Sequence, residues 1–181
     1  MEDTNYSVKC LRKQRHDFMN DIQIIYGYLQ TQNSDKAKEY IKSISKKNEI
    51  ISSIYSLGDN FLGLCLEKNL KKLWSKEVEV SLDIEINELK ESIFKEYFDK
   101  KCDLANNIFN ELENNKCKFV YIYLYEDELG KNMFISNNED MVDELNWMEQ
   151  WEKISSDIDK LLFYKCYYDD NLAYRIIFSK N

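Results

Sequence analysis

The sequence predicts an α+β protein, in which a helical N-terminal part precedes a layered domain of strands and helices. The 181-residue chain contains no Pro and only four Gly, which favours long uninterrupted helices in the first part. The spacing of apolar residues then changes from helical to strictly alternating near residue 78. We expect two domains, residues 1–59 and residues 60–181.

A pair of antiparallel helices is predicted for the first domain. The first helix covers Asn5–Gln32 and carries one apolar stripe at helical spacing. The second helix can be capped by Ser34 or Asp35 and runs to Gly58. The stripe of the first helix consists of Leu11, Phe18, Ile22, Ile25 and Leu29. A heptad seam with one polar member follows on the second helix, at Ala37, Ile41, Ile44, Asn48, Ile51, Tyr55 and Gly58.

Such a hairpin cannot bury both apolar stripes against itself. It needs a second hairpin or another domain to cover them. We therefore expect two copies of the chain to form a dimeric four-helix bundle.

The second domain mixes helices and strands. A helix is predicted for Phe61–Ser75, a strand with alternating apolar residues for Val78–Ile86, and a further helix for Leu89–Asn114. Residues 140–153 can form a helix or a long loop. The remaining strands are Lys118–Glu126, Met133–Ser136, Leu161–Tyr168 and Leu172–Phe178.

Composition excludes several classes of function. The net charge of −8 argues against a nucleic-acid partner, which normally meets a basic surface. No apolar run is long enough to span a membrane and no signal sequence opens the chain, so we expect a cytoplasmic protein without a membrane partner. Five widely spaced Cys and a single His give no metal-binding pattern, and no metal site is predicted.

The single histidine, His16, is the strongest candidate for chemistry. It lies about 150° around the first helix from the apolar stripe, so it is expected to face solvent. A neutral imidazole can then act as a nucleophile, while Asp17 orients it and Asn20, one turn later, binds phosphoryl oxygens. Nearby cations could contribute to the same site, and these are Arg12, Lys13 and Arg15.

The run Arg15–Asn20, followed by residues 21–29, resembles the phosphoacceptor helix of the sporulation initiation phosphotransferase B family and of related histidine kinases. The resemblance implies that His16 is the phosphorylated residue, with Asp17 and Asn20 as its helpers. It also implies a dimeric hairpin followed by a domain similar to the ATPase domain of a histidine kinase.

The resemblance continues with less specificity into the second domain. Residues 59–80 look like the passage from the hairpin into the kinase domain, and Asn106 and Asn110 are similar to its asparagine box. A helix that merely exposes polar Asn side chains is an alternative explanation. The glycine-rich nucleotide loops of a kinase are missing, because only Gly130 follows Gly63. The second domain is therefore expected to be a degenerate α/β sandwich with a vestigial nucleotide site.

These features together predict a histidine phosphotransferase in a phosphorelay, in sporulation by resemblance. Its expected partners are a second copy and the receiver domains of response regulators. We expect no cofactor of its own, since the receivers supply magnesium. Three alternatives stay open: a non-catalytic module that binds a response regulator or a kinase, an ATP-dependent histidine kinase, which the missing glycines oppose, and a small-ligand site in the second domain. The last rests on its tyrosines, which are more often sheet packing, and these include Tyr121, Tyr123, Tyr125, Tyr164, Tyr167 and Tyr168.

Overall fold

The computed structural model describes residues 2–90, 92–146, 151–158 and 161–179. The chain forms two compact units, Met1–Glu49 and Ile50–Asn181, and the division lies within the second helix. None of the described helices is both long and apolar enough to cross a membrane.

The first unit is a helical hairpin, made of α1 (Glu2–Gln30) and the greater part of α2 (Ser34–Ser56). Gln32 has a left-handed backbone with φ 56°, and the amide of Asn33 donates to the carbonyl of Tyr28 at 2.9 Å, which ends α1. The side chain of Asn33 then accepts from the amide of Lys36 at 3.4 Å. Asn33 is thus the N-cap of α2, and the expectation of Ser34 or Asp35 was wrong because the helix already begins at Ser34.

A polar contact between Tyr40 and Asp21 connects the two arms of the hairpin. The hydroxyl of Tyr40 donates to the carboxylate of Asp21 at 2.8 Å, and the ring of Tyr40 meets the edge of the Tyr28 ring at 6.3 Å. Burial, together with this carboxylate, raises the pKa of Tyr40 to about 12. The small side chain of Ala37 is buried close by in sequence, on the first turn of α2.

The apolar stripe of α1 stays largely exposed in the single chain. Exposed fractions reach 64% for Leu11, 61% for Phe18, 43% for Ile22 and 53% for Leu29. Ile41 of the heptad seam on α2 is 45% exposed as well. The hairpin therefore leaves uncovered the surface that the sequence pattern marks as a packing face.

The second unit contains a six-stranded sheet with the order β1-β2-β3-β6-β5-β4. The strand β1 pairs with β2 in parallel, and the other neighbours are antiparallel. The strands are β1 (Glu79–Ile84), β2 (Phe119–Asp127), β3 (Gly130–Ser136), β4 (Glu152–Ile154), β5 (Leu161–Tyr168) and β6 (Asn171–Ser179). The helices are α3 (Asn60–Trp74), α4 (Ser92–Lys95), α5 (Phe98–Asn114) and a 3-10 helix (Glu139–Asn146).

Helices cover one face of this sheet. Alternate strand residues, such as Val80, Ile122 and Ile135, pack with Leu66 of α3 and Leu112 of α5 in the main core. The opposite face carries a smaller cluster, in which Met141 of the 3-10 helix and Trp151 pack with aromatic strand residues. The α+β fold predicted from the sequence is confirmed.

Two elements of the second unit differ from the sequence-based expectations. The helix predicted for residues 89–114 is divided into α4 and α5, because Tyr97 takes a left-handed conformation with φ 55°. The region 140–153, which the sequence left open, contains the 3-10 helix and the start of the short strand β4, while residues 147–150 lie outside the described part.

A buried carboxylate organises the start of this unit. Asp59 is 1% exposed and caps α3, since its Oδ1 accepts from the amides of Phe61 and Leu62 at 3.0 Å. Its Oδ2 accepts from the amide of Phe94 in α4 at 3.0 Å. One side chain therefore links two helices that are far apart in the sequence.

We expect Asp59→Ala to lower the free energy of unfolding by about 2–4 kcal/mol, because three backbone amides lose their acceptor in a buried position. Asp59→Asn is the matched control: its amide oxygen can still cap α3, but its nitrogen cannot accept from Phe94. Urea unfolding should place the Asn variant between the wild type and the Ala variant. Equal stability of all three proteins would contradict this role.

Because of the Tyr40–Asp21 contact, we expect the hairpin to lose folding stability at alkaline pH. The folded state holds the Tyr40 proton to a pKa of about 12, whereas the unfolded chain releases it near 10. Stability from this contact is thus fully present below about pH 10 and is lost as the pH rises through about 12. Urea unfolding over this range should show a steeper loss for the wild type than for Tyr40→Phe; parallel curves would exclude the contact as the cause.

Candidate functional site

His16 lies near the middle of α1, on a stretch of helix whose described side chains all face solvent. Residues 11–20 are exposed without interruption, and the side chain of His16 is itself 74% exposed. Arg12 and Asn20 lie one turn before and one turn after it on the same face of the helix. The sequence-based expectation of a solvent-facing imidazole agrees with this position.

Two neighbours contact the same nitrogen of the His16 ring. The side-chain amide nitrogen of Asn20 lies 3.2 Å from Nδ1, and the nearer carboxylate oxygen of Asp17 lies 3.6 Å from it. Both contacts hold the ring by its Nδ1 edge. The other ring nitrogen, Nε2, lies on the far side of the imidazole and is the one that an incoming partner can approach.

The basic residues form an exposed group beside the histidine. Arg12, Lys13 and Arg15 are all exposed on α1, within four residues of His16. Asp17 is half exposed and is the nearest acid in sequence. The surface around the imidazole is therefore positively charged on its N-terminal side, which suits an approaching acidic or phosphorylated group.

The two asparagines expected to belong to a vestigial nucleotide site, Asn106 and Asn110, lie on α5, four residues apart. Asn106 is half-buried and Asn110 is exposed. The side-chain oxygen of Asn110 accepts from the ammonium of Lys72 in α3 at 2.6 Å, and Lys72 also pairs with Glu113 at 2.9 Å. An asparagine box would offer this amide oxygen to a metal or nucleotide, but here it already accepts a hydrogen bond from Lys72.

The six-stranded sheet carries a row of tyrosines for which the sequence left sheet packing and a small-ligand site as alternatives. The rings of Tyr121, Tyr123 and Tyr125 form a stacked ladder on the face opposite the helices. The hydroxyl of Tyr121 donates to Asp83 at 2.7 Å and that of Tyr123 donates to Glu85 at 2.5 Å. Alternation of Tyr in one strand and acids in another is visible in the sequence, but only the parallel pairing of β1 and β2 brings them together.

A buried arginine on the same sheet was also missed. Arg175 is 4% exposed; its Nε donates to the side chain of Asn132 at 3.0 Å, and its guanidinium pairs with Asp127. Burial of a charge requires such partners. Within the described residues, no group of three or more His, Cys, Asp or Glu side chains is arranged to hold a metal.

Comparison with known proteins adds a family for the hairpin. Residues 1–57 match the family model of the alpha-helical domain of SpoOB-type sensor kinases. The N-terminal helices carry a SpoOB-type domain. The resemblance inferred from the residues around His16 is thereby confirmed over residues 1–57.

The solved structures that match this chain include a histidine kinase. The histidine kinase AdeS of Acinetobacter baumannii is similar over 92% of this chain and 98% of that chain, with 10% sequence identity and a TM-score of 0.41. None of the curated proteins matches the sequence.

Proposed function

We propose that this protein is a homodimeric histidine phosphotransferase, which carries phosphoryl groups between response-regulator receivers through His16 in a cytoplasmic relay such as that of sporulation. The observation that carries the proposal is the exposed imidazole on a SpoOB-type helix, held at Nδ1 by Asn20 and Asp17. Residues 1–59 are the dimerisation and transfer domain, and residues 60–181 are a degenerate kinase-like domain.

The transfer follows from this geometry. The lone pair of Nε2 attacks the phosphorus of a receiver aspartyl phosphate, the bond from phosphorus to the aspartate oxygen breaks, and the receiver carboxylate leaves with the electron pair. For this attack the ring proton lies on Nδ1, so the amide of Asn20 turns its oxygen instead of its nitrogen toward Nδ1–H, and the carboxylate of Asp17 balances the positive charge of the phosphorylated ring. The aspartate of a second receiver then attacks the same phosphorus, the bond from phosphorus to Nε2 breaks, and His16 is released.

Asn20 and the basic residues have supporting roles in this proposal. The amide of Asn20 fixes the ring, so that Nε2 keeps its direction of approach. The cations of Arg12, Lys13 and Arg15 attract the acidic active site of a receiver. Magnesium belongs to the receiver, where it neutralises charge on the group in transfer, and the relay protein needs no cofactor of its own.

The dimer follows from the exposed stripe of α1. Pairing two hairpins buries Leu11, Phe18, Ile22 and Leu29 in a common core, at roughly 25 cal/mol for each Å² of apolar surface removed from water. His16 lies about 150° from this stripe, so the bundle leaves both imidazoles accessible.

The second domain is proposed to have lost nucleotide chemistry. Its candidate asparagine Asn110 is engaged by Lys72, and the chain lacks the glycines that let backbone amides approach phosphates. A titration with ATP and magnesium therefore separates this proposal from a histidine kinase. Saturable binding of ATP followed by label on His16 would favour the kinase.

The first experiment mixes the purified protein with a receiver that carries labelled aspartyl phosphate. We expect acid-labile, base-stable label on the wild type and none on His16→Gln, because the glutamine side chain has no nucleophilic nitrogen of this kind. Asn20→Ala should keep the nucleophile but slow transfer by about 10- to 100-fold through a misplaced ring.

The outcome without label is equally informative. If several receivers bind the protein, and neither the wild type nor His16→Gln becomes labelled, the phosphotransferase proposal fails. The protein would then act as a non-catalytic module that binds a regulator or a kinase.

Two substitutions by Glu, on different sides of α1, test the dimer proposal. We expect Phe18→Glu, within the exposed stripe, to convert the dimer into a monomer, because a buried unpaired carboxylate costs several kcal/mol. Ile24→Glu is the matched control, since Ile24 is 41% exposed but lies on another side of the helix. Light scattering coupled to gel filtration measures the mass; a dimer that survives Phe18→Glu would contradict the proposed interface.

Charge reversal tests the basic residues. The double variant Arg12→Glu with Arg15→Glu should slow transfer by roughly 10-fold at low ionic strength and much less at high salt. The control, Lys36→Glu with Lys42→Glu, makes the same charge change at exposed positions of α2. Unchanged rates in the first variant would remove electrostatic steering from the mechanism.

A further inference from the structure

The strand β1 forms one edge of the described sheet. It pairs with β2 in parallel: the amide of Glu79 donates to the carbonyl of Lys118, just before β2, and the amide of Glu85 donates to that of Leu124 within β2, both at 2.8 Å. In a parallel pair, alternate residues direct both backbone groups to the partner strand. The N–H and C=O groups of Val80, Leu82 and Ile84 therefore point away from β2, toward the open side of the edge.

A groove of about 370 Å³ runs along this edge. The half-buried side chains of Leu82 and Ile84 lie on one side, and the other side is formed by Ser53 and Ser56 at the end of α2 together with Leu57, which follows the helix. The groove thus combines a row of backbone groups with a mixed lining of aliphatic side chains and serine hydroxyls, which an added strand can contact.

The opposite side of β1 carries fixed negative charge. Asp83 and Glu85 are exposed and point to the face with the tyrosine ladder, where the hydroxyls of Tyr121 and Tyr123 bond to them. These bonds hold the two carboxylates in fixed positions, two residues apart on one face of the edge strand. A neighbouring strand would place alternate side chains beside them.

A second copy of β1 is a poor occupant of this edge. Antiparallel pairing of two such strands would set Asp83 and Glu85 of one copy near the same acids of the other, and like charges on paired strands are destabilising. A segment with cations at alternate positions would instead complete the charge pattern on one face. Its other side chains enter the groove, where apolar ones can pack against Leu57, Leu82 and Ile84.

We propose that the edge of β1 is a docking site for an extended segment of a partner protein in which Lys or Arg alternates with apolar residues. The segment adds a seventh strand to the sheet, with its backbone on Val80, Leu82 and Ile84. Its cations lie beside Asp83 and Glu85, and its apolar side chains fill the groove next to Leu57. This site is independent of the chemistry at His16.

The test uses the full chain and a synthetic eight-residue peptide that alternates Val and Lys. We expect saturable binding in a calorimetric titration, and slower hydrogen exchange of the amides of Val80, Leu82 and Ile84 in the complex. The double variant Asp83→Asn with Glu85→Gln keeps an acceptor for each tyrosine hydroxyl but removes both charges. Its affinity should fall by roughly 5- to 30-fold at low salt.

Three controls distinguish strand addition from other outcomes. Glu126→Gln with Asp157→Asn, which changes exposed acids elsewhere by the same charge, should bind the peptide like the wild type. A peptide that carries N-methyl groups on its edge-facing amides should lose binding, because it cannot donate to β1. An alternating Val and Glu peptide should not bind.

Three results would overturn the proposal. The first is equal affinity of the N-methylated peptide, which would reduce the interaction to charge. The second is failure of the Val and Lys peptide to bind at all. The third is protection of the β1 amides that rises with protein concentration in the absence of peptide, since the occupant would then be a second copy.

Discussion

The carboxylate of Asp59 lies at the point where the long helices give way to the layered unit. Both of its oxygens accept backbone hydrogen bonds, from the start of α3 and from α4, in a position that water does not reach. Phe94 of α4 is buried in the main core, and the ammonium of Lys101 lies over its ring. Burial lowers the pKa of Lys101, and the negative charge of Asp59 opposes that shift.

In the proposed relay, the hairpin uses different sides of α1 for packing and for chemistry. An α-helix presents residues three and four apart on the same side, so one helix can carry an apolar stripe and, on another side, the line Arg12, His16 and Asn20. A nucleophile that must meet partner proteins has to be exposed, and it gains little from a buried environment. The physical requirement is a stiff platform with a fixed imidazole, which a long helix supplies.

In the second unit, polar side chains of different elements hold one another. Lys72 of α3 bonds to Asn110 and pairs with Glu113, both on α5, at the surface where the vestigial nucleotide site was expected. On the far face of the sheet, tyrosine hydroxyls hold the acids of β1. Both sets of contacts join residues that are nearly 40 positions apart, and they rest on the pairing of elements rather than on local sequence.

The sequence by itself determined the α+β class, the two long helices, five of the six strands and the exposure of His16, because these depend on local periodicity. It did not reveal the cap at Asn33, the break at Tyr97 or the three-residue strand β4, which local patterns specify weakly. The polar partners of Asn110, Asp83 and Arg175 were decided by the tertiary structure alone. Hydrogen bonds and ion pairs across elements depend on strand register and helix packing, which no spacing within one segment encodes.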